Sequence, residues 1–139
     1  MMGELRIGVV GYSGQPFDHD RARQLLDEAY DQLESRYPDR AKVVVSVLTD
    51  VGIPALTYRA AVERGWRTAG IACAKAFEYE RFPVDEEHIV GQKWGDESPT
   101  FLDSIDILVR VGGGKQALRE TADMKASGRP VIEYDLANT

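Results

Sequence analysis

Apolar residues in this chain fall in short continuous runs that alternate with stretches of helical spacing. Residues 5–10 (LRIGVV) form such a run and end in Gly11-Tyr12-Ser13-Gly14, which predicts a buried strand entering a glycine-rich turn. Asp18 then stands where an N-cap belongs, ahead of Leu25, Leu26, Ala29 and Leu33 at helical spacing. The spacing predicts a helix of about eighteen residues, stopped before Pro38. Residues 42–48 (KVVVSVL) are the clearest strand, because β-branched side chains suit a pleated surface. After Thr49-Asp50-Val51-Gly52, Pro54 suits the first turn of a helix that Gly65 closes.

Further strands are predicted at residues 67–72, 88–92, 105–111 and 130–134. Helices are predicted from Ser98-Pro99, taken as N-cap and first helical position, and over residues 116–127, ended by Gly128. Residues 73–87, with their acidic run, read as a solvated loop. Near-continuous apolar strands alternating with helices require a parallel sheet covered on both faces. With right-handed crossovers the expectation is an α/β, Rossmann-like, doubly wound three-layer sandwich with a mainly parallel sheet of five to six strands.

Composition narrows the class. With 139 residues, 43% hydrophobic and 29% charged, the chain reads as one globular domain over residues 1–139. A formal charge of −6 counts against a nucleic-acid partner, whose phosphates call for clustered Lys and Arg. The lone Cys73 supports neither an intrachain disulfide nor a thiolate zinc site. No apolar run is long enough to span a bilayer, so no membrane partner is expected, and a cytoplasmic location is.

In a doubly wound sheet, ligands bind outside the carboxyl ends of the strands. Three loops would meet there. Gly112-Gly113-Gly114-Lys115 is the most informative, since a tight turn alone needs one glycine or two. A helix start behind it offers free N–H groups to a phosphate or carboxylate, with Lys115 and Gln116 adding a charge and a donor. The spacing matches neither a Walker loop nor GxGxxG. Gly11, Tyr12, Ser13 and Gly14 form the second loop, where Tyr12 either stacks on a base or packs as loop filling. Thr49, Asp50 and Gly52 form the third, suited to ribose hydroxyls, although Asp50 is also a candidate cap for the next helix. Asp18-His19-Asp20 resembles a metal cluster, but neighbouring residues at a helix start diverge, and no metal or cofactor is assigned. Ser13 lacks the Gly-x-Ser-x-Gly elbow of a hydrolase triad.

Three segments carry a family resemblance: Ser104-Ile105-Asp106; Val111-Gly112-Gly113-Gly114-Lys115-Gln116-Ala117-Leu118-Arg119-Glu120; and Ala126-Ser127-Gly128-Arg129-Pro130-Val131-Ile132. They resemble the pattern ADAxxxxxGGGxGTxxExxxAxxxGKPV of the SLOG superfamily, which includes Lonely-Guy-type phosphoribohydrolases and molybdenum-cofactor carrier-like proteins. The resemblance implies a Rossmann-like domain that binds a nucleotide or nucleotide-derived ligand, commonly as a homodimer. It also carries over Glu120 as the carboxylate that works on the ribose–base bond in the hydrolases. Two departures stand out. Gln116-Ala117 replaces the pattern's Gly-Thr, and the arginine that the hydrolases place about fifteen residues before the glycines falls here near Glu97-Ser98. The nearest basic residue is Lys93.

The leading expectation is therefore a module binding a small nucleotide-like phosphate ligand. The alternative is a nucleoside-monophosphate N-glycosidase or phosphoribohydrolase using Glu120, with Lys93 or Lys115 in place of arginine. A third reading is an oligomeric carrier or scaffold whose crevice is vestigial.

Overall fold

The structure, a computed structural model, describes residues 3–13 and 15–137. Its strands are β1 (Leu5–Gly11), β2 (Lys42–Ser46), β3 (Arg67–Ala72), β4 (Glu86–Ile89), β5 (Ile107–Val111) and β6 (Val131–Tyr134). The helices are α1 (His19–Arg36), α2 (Gly52–Glu63), α3 (Ser98–Asp103) and α4 (Lys115–Ala126), with a 3-10 turn at Ala74–Glu78. The strands make one sheet in the order β4-β3-β2-β1-β5-β6, and every pairing is parallel. The chain winds outward from β1 to β4, then returns to the other side of β1 for β5 and β6. The switch point thus lies between β1 and β5.

Alternate residues of the central strands feed two cores. Leu5, Ile7, Val9, Val44, Ile107, Val109 and Val111 pack with the buried faces of α1 and α2. Val43, Val45, Ala69, Ile71 and Leu108 pack with Phe101 and Leu102 of α3, Ile105, and Met124 of α4. Burial on both faces explains why these strands read as unbroken apolar runs. The α1 cap is as expected: the Asp18 side chain accepts from the Arg21 amide.

The acidic stretch departs from expectation. Thr68 donates its amide to the Asp85 carboxylate at 2.9 Å, and the Asp85 amide donates to the Thr68 carbonyl at 3.1 Å. This clasp starts β4 at Glu86, two residues before the predicted strand, and Gly91 at φ +79° follows it. Part of the expected loop is thus an edge strand, with Glu86 near Arg6 and Arg67. Charged side chains protect such an edge from pairing with other chains.

Tyr58 of α2 fixes the carboxyl ends of β2 and β3. Its buried hydroxyl accepts from the Ser46 amide at 3.1 Å and lies 2.9 Å from the Val47 carbonyl and 3.1 Å from that of Ala69. Tyr58→Phe should leave the Ser46 amide unpaired and lower stability by about 1–3 kcal/mol, the cost of stranding a buried polar group. Urea unfolding of the two proteins measures this directly; unchanged stability would mean that the hydroxyl does not hold the edge.

Candidate functional site

Gly11 pairs with Val111 in the sheet register, so the turns after β1 and β5 leave the same edge side by side. The main chains touch. A Cβ on Gly113 would lie 3.2 Å from the Gly11 Cα, and one on Gly11 would lie 2.4 Å from the Val111 carbonyl oxygen. Around this contact a cleft of about 670 Å³ opens, within the size range of small-molecule sites. Of the predicted residues, Gly11, Tyr12, Ser13, Thr49, Gly114, Lys115, Gln116 and Glu120 line it. Gly14 lies outside the described residues.

The three glycines differ in role. Gly112 has φ +62°, and its missing side chain leaves room for the Tyr12 ring, 2.5 Å from where a Cβ would stand. Gly113 has φ +107°, and a Cβ there would meet the Ala117 methyl at 2.6 Å. The fold itself explains both. Gly114 is different: it lacks a positive φ, and a Cβ there would meet no protein atom within 4 Å. It is the N-cap of α4, it lines the cleft, and no side chain caps the helix behind it. The free amides of that first turn therefore open beside bare backbone. Exposed Lys115 makes no ion pair among the described residues.

The third loop divides. The Thr49 hydroxyl is buried without a hydrogen-bond partner among the described residues and its residue lines the cleft. Asp50 does not cap α2; Val51 holds that position without a side-chain hydrogen bond, and Asp50 faces Arg59 at 3.7 Å. Gly52, at φ +68°, shapes the wall indirectly. A Cβ there would strike the Tyr12 carbonyl oxygen at 2.4 Å, and the next amide, Ile53, donates to that oxygen at 2.7 Å. Tyr12 itself lies beside Phe17 with ring centroids 6.1 Å apart.

One wall holds two buried carboxylates. Glu97, 2% exposed, accepts from the Gly95 amide at 3.0 Å and from the Gln116 amide group at 3.3 Å. Glu120, 5% exposed, accepts from the Ser98 hydroxyl at 2.7 Å. Ser98 was expected as an N-cap, but Glu97 occupies that position, and the Ser98 hydroxyl is committed to Glu120. Gln116 also reaches the Ser98 hydroxyl at 3.4 Å, closing a chain from Glu97 to Glu120. Burial pushes the Glu120 carboxyl above its ordinary range, and the Glu97 charge adds to this. The hydrogen bonds from Ser98 and Gln116 oppose it. Sequence reasoning missed Glu97 as a wall residue; the available signal was that it stands where the resemblance places arginine. Lys93 does not line the cleft.

No known protein-family profile and no curated protein matches the chain. Solved structures do. The molybdenum cofactor carrier protein from Chlamydomonas reinhardtii superposes with a TM-score of 0.74 at 20% identity, over 94% of this chain and 76% of that one. The molybdenum cofactor binding protein from Rippkaea orientalis gives 0.74 at 24% identity, over 96% and 77%. A structural-genomics target, TM1055, gives 0.71 at 23% identity, over 91% and 72%. The chain shares the fold of these molybdenum cofactor carrier and binding proteins. Among its described residues, no helix is long and apolar enough to cross a membrane.

The wall makes a stability prediction. Because the folded protein holds the Glu120 proton more tightly than the unfolded chain does, ionisation of Glu120 destabilises the fold as pH rises. Glu120→Gln should therefore raise the melting temperature at pH 7. The gain should shrink towards zero as pH falls below about 4, where glutamate is protonated even in the unfolded chain. Thermal melts between pH 3.5 and 8 check it, and a gain independent of pH would contradict the cause given.

Proposed function

We propose that this protein binds a nucleotide or nucleotide-derived phosphate compound at the carboxyl edge of its sheet, without cleaving it. The observation that carries the reading is Gly114, a glycine the fold does not require, at the uncapped opening of α4 and on the cleft. Bare backbone at a helix N-terminus lets an anion reach the amides closely, where the helix dipole favours negative charge. Exposed Lys115 adds a cation, and the Thr49 hydroxyl, without a partner among the described residues, offers a further donor. Proteins of the same fold that carry or bind the molybdenum cofactor support a cofactor-like ligand.

The two departures from the hydrolase pattern favour binding over glycosidic cleavage. Glu97-Ser98 and Gln116 are hydrogen-bonded to one another. Where the hydrolases offer a guanidinium fork to phosphate, this chain offers a carboxylate already occupied by an amide. Lys115 cannot supply the bidentate geometry of arginine. If the alternative held, Glu120 would stabilise positive charge developing on the sugar as the base leaves. Incubation with a panel of nucleoside monophosphates separates the readings. Tight binding with no free base released by wild type is expected, and Glu120→Gln should leave affinity unchanged or raise it. Base release by wild type and not by Glu120→Gln would establish the enzyme instead. The resemblance also supports a homodimer in the cytoplasm, for which light scattering should give twice the 15.5 kDa chain mass.

Gly114→Val should cost about 1 kcal/mol of stability, the loss of a favoured N-cap residue. It should also weaken phosphate-ligand binding by about 1–3 kcal/mol, on the scale of lost buried hydrogen bonds. Gly113→Ala should lose about 1–3 kcal/mol of stability through overpacking and a disfavoured backbone angle. Calorimetry and melting of both variants decide it. Undiminished binding by Gly114→Val would remove the anion seat.

A further inference from the structure

Two exposed aromatic side chains, Tyr79 and Trp94, stand on the cleft outside the buried cores. Tyr79 is 59% exposed and Trp94 is 46% exposed, yet both line the cleft. Their ring centroids are 6.0 Å apart and the planes are tilted by 45°, too close to admit a third ring between them. They form a V-shaped apolar wall. Nearby Phe77 is also exposed, but it does not line the cleft, and the Arg81 guanidinium covers its ring at 4.6 Å. Of the exposed Phe77, Tyr79 and Trp94, only Tyr79 and Trp94 line the cleft.

Both rings sit on backbone that is fixed without them. The segment after Tyr79 bridges Thr49 through Arg81, and the Phe82 amide donates to the Leu48 carbonyl at 2.9 Å. Trp94 rides a turn held by the Asp96 carboxylate, which accepts from the Gln92 amide at 3.0 Å and the Lys93 amide at 2.9 Å. The next residue, Gly95, is at φ +99°, and its amide is tied to Glu97. Rigid loops that hold aromatic faces against water, beside a cavity with an anion seat, match the two ends of a nucleotide.

We propose that the Tyr79–Trp94 wall is the heterocycle subsite of the cleft, stacking against one face of a planar ring system whose phosphate lies at the opening of α4. This deepens the binding reading above and rests on it. Stacking is tolerant of ring identity and grows with ring area, so bicyclic purine-like rings are preferred over single pyrimidine rings. The wall adds specificity for a planar group that the phosphate seat alone does not supply.

The test compares adenosine monophosphate, uridine monophosphate and ribose 5-phosphate on wild type, Tyr79→Ala, Trp94→Ala and Trp94→Phe, by calorimetry and tryptophan emission. Trp94→Ala should weaken adenosine monophosphate by about five- to 150-fold, the range for one lost base–aromatic stack, and erase the preference over uridine monophosphate. Ribose 5-phosphate should bind all four proteins alike, and Trp94→Phe should restore most of the nucleotide affinity. In wild type, adenosine monophosphate should quench emission and ribose 5-phosphate should not. The second tryptophan, Trp66, packs against the core and serves as an internal reference. Unchanged nucleotide affinity in Trp94→Ala, with no quenching in wild type, overturns the wall and leaves the phosphate seat standing. Equal losses for nucleotide and ribose 5-phosphate mean that Trp94 only shapes the loop, and also overturn it. Failure of every phosphate compound to bind wild type overturns both proposals, leaving the exposed rings to a protein partner.

Discussion

The site depends on two backbones meeting without side chains between them. Gly11 ends the central strand and Gly113 turns the chain after β5, and the register of that parallel pair brings them together. A methyl group on either would press into a neighbouring backbone or helix. Once they touch, α4 must begin beside the β1 turn, and its free amides face the same crevice as Tyr12, Ser13 and Thr49. The topological switch therefore positions the chemistry, and the glycines permit it.

Charge around that crevice is divided. The α4 opening and Lys115 favour an anion, while α4 itself also carries Glu120 and Gln116, linked through Ser98 to the buried Glu97. Two buried carboxylates would repel an anionic ligand if they crowded it. Their hydrogen bonds, and the raised affinity of Glu120 for its proton, reduce that repulsion. Glu97-Ser98 and Gln116 stand where the resemblance places arginine and the glycine of Gly-Thr, and hydrogen bonds join them to each other and, through Ser98, to Glu120.

Much of the architecture was legible because single residues carry local instructions. Asp18 reads as a cap, the β-branched run at residues 42–48 as a strand, and the glycines after β1 and β5 as turns at a shared edge. The register of β4 was not legible, because Asp85 and Thr68 set it by a clasp between residues 17 apart. The wall residues were hidden for the same reason. Glu97 meets Gln116 across 19 positions, and Tyr79 meets Trp94 only after two loops fold toward one another. Within the triple glycine, sequence pointed to the group but not to the member: Gly112 and Gly113 serve the turn, and only Gly114 is spare.

The central claim is that the opening of α4 is an anion seat. Amide proton–nitrogen spectra of the labelled protein, recorded while a nucleoside monophosphate is added, test it most directly. The account predicts the largest shifts at Gly114, Lys115, Gln116 and Ala117, smaller ones at Ser13 and Thr49, and none at Arg40 or Arg67 on the opposite edge. Saturable shifts confined to the groove between His88 and Thr100, with the α4 opening silent, would contradict it.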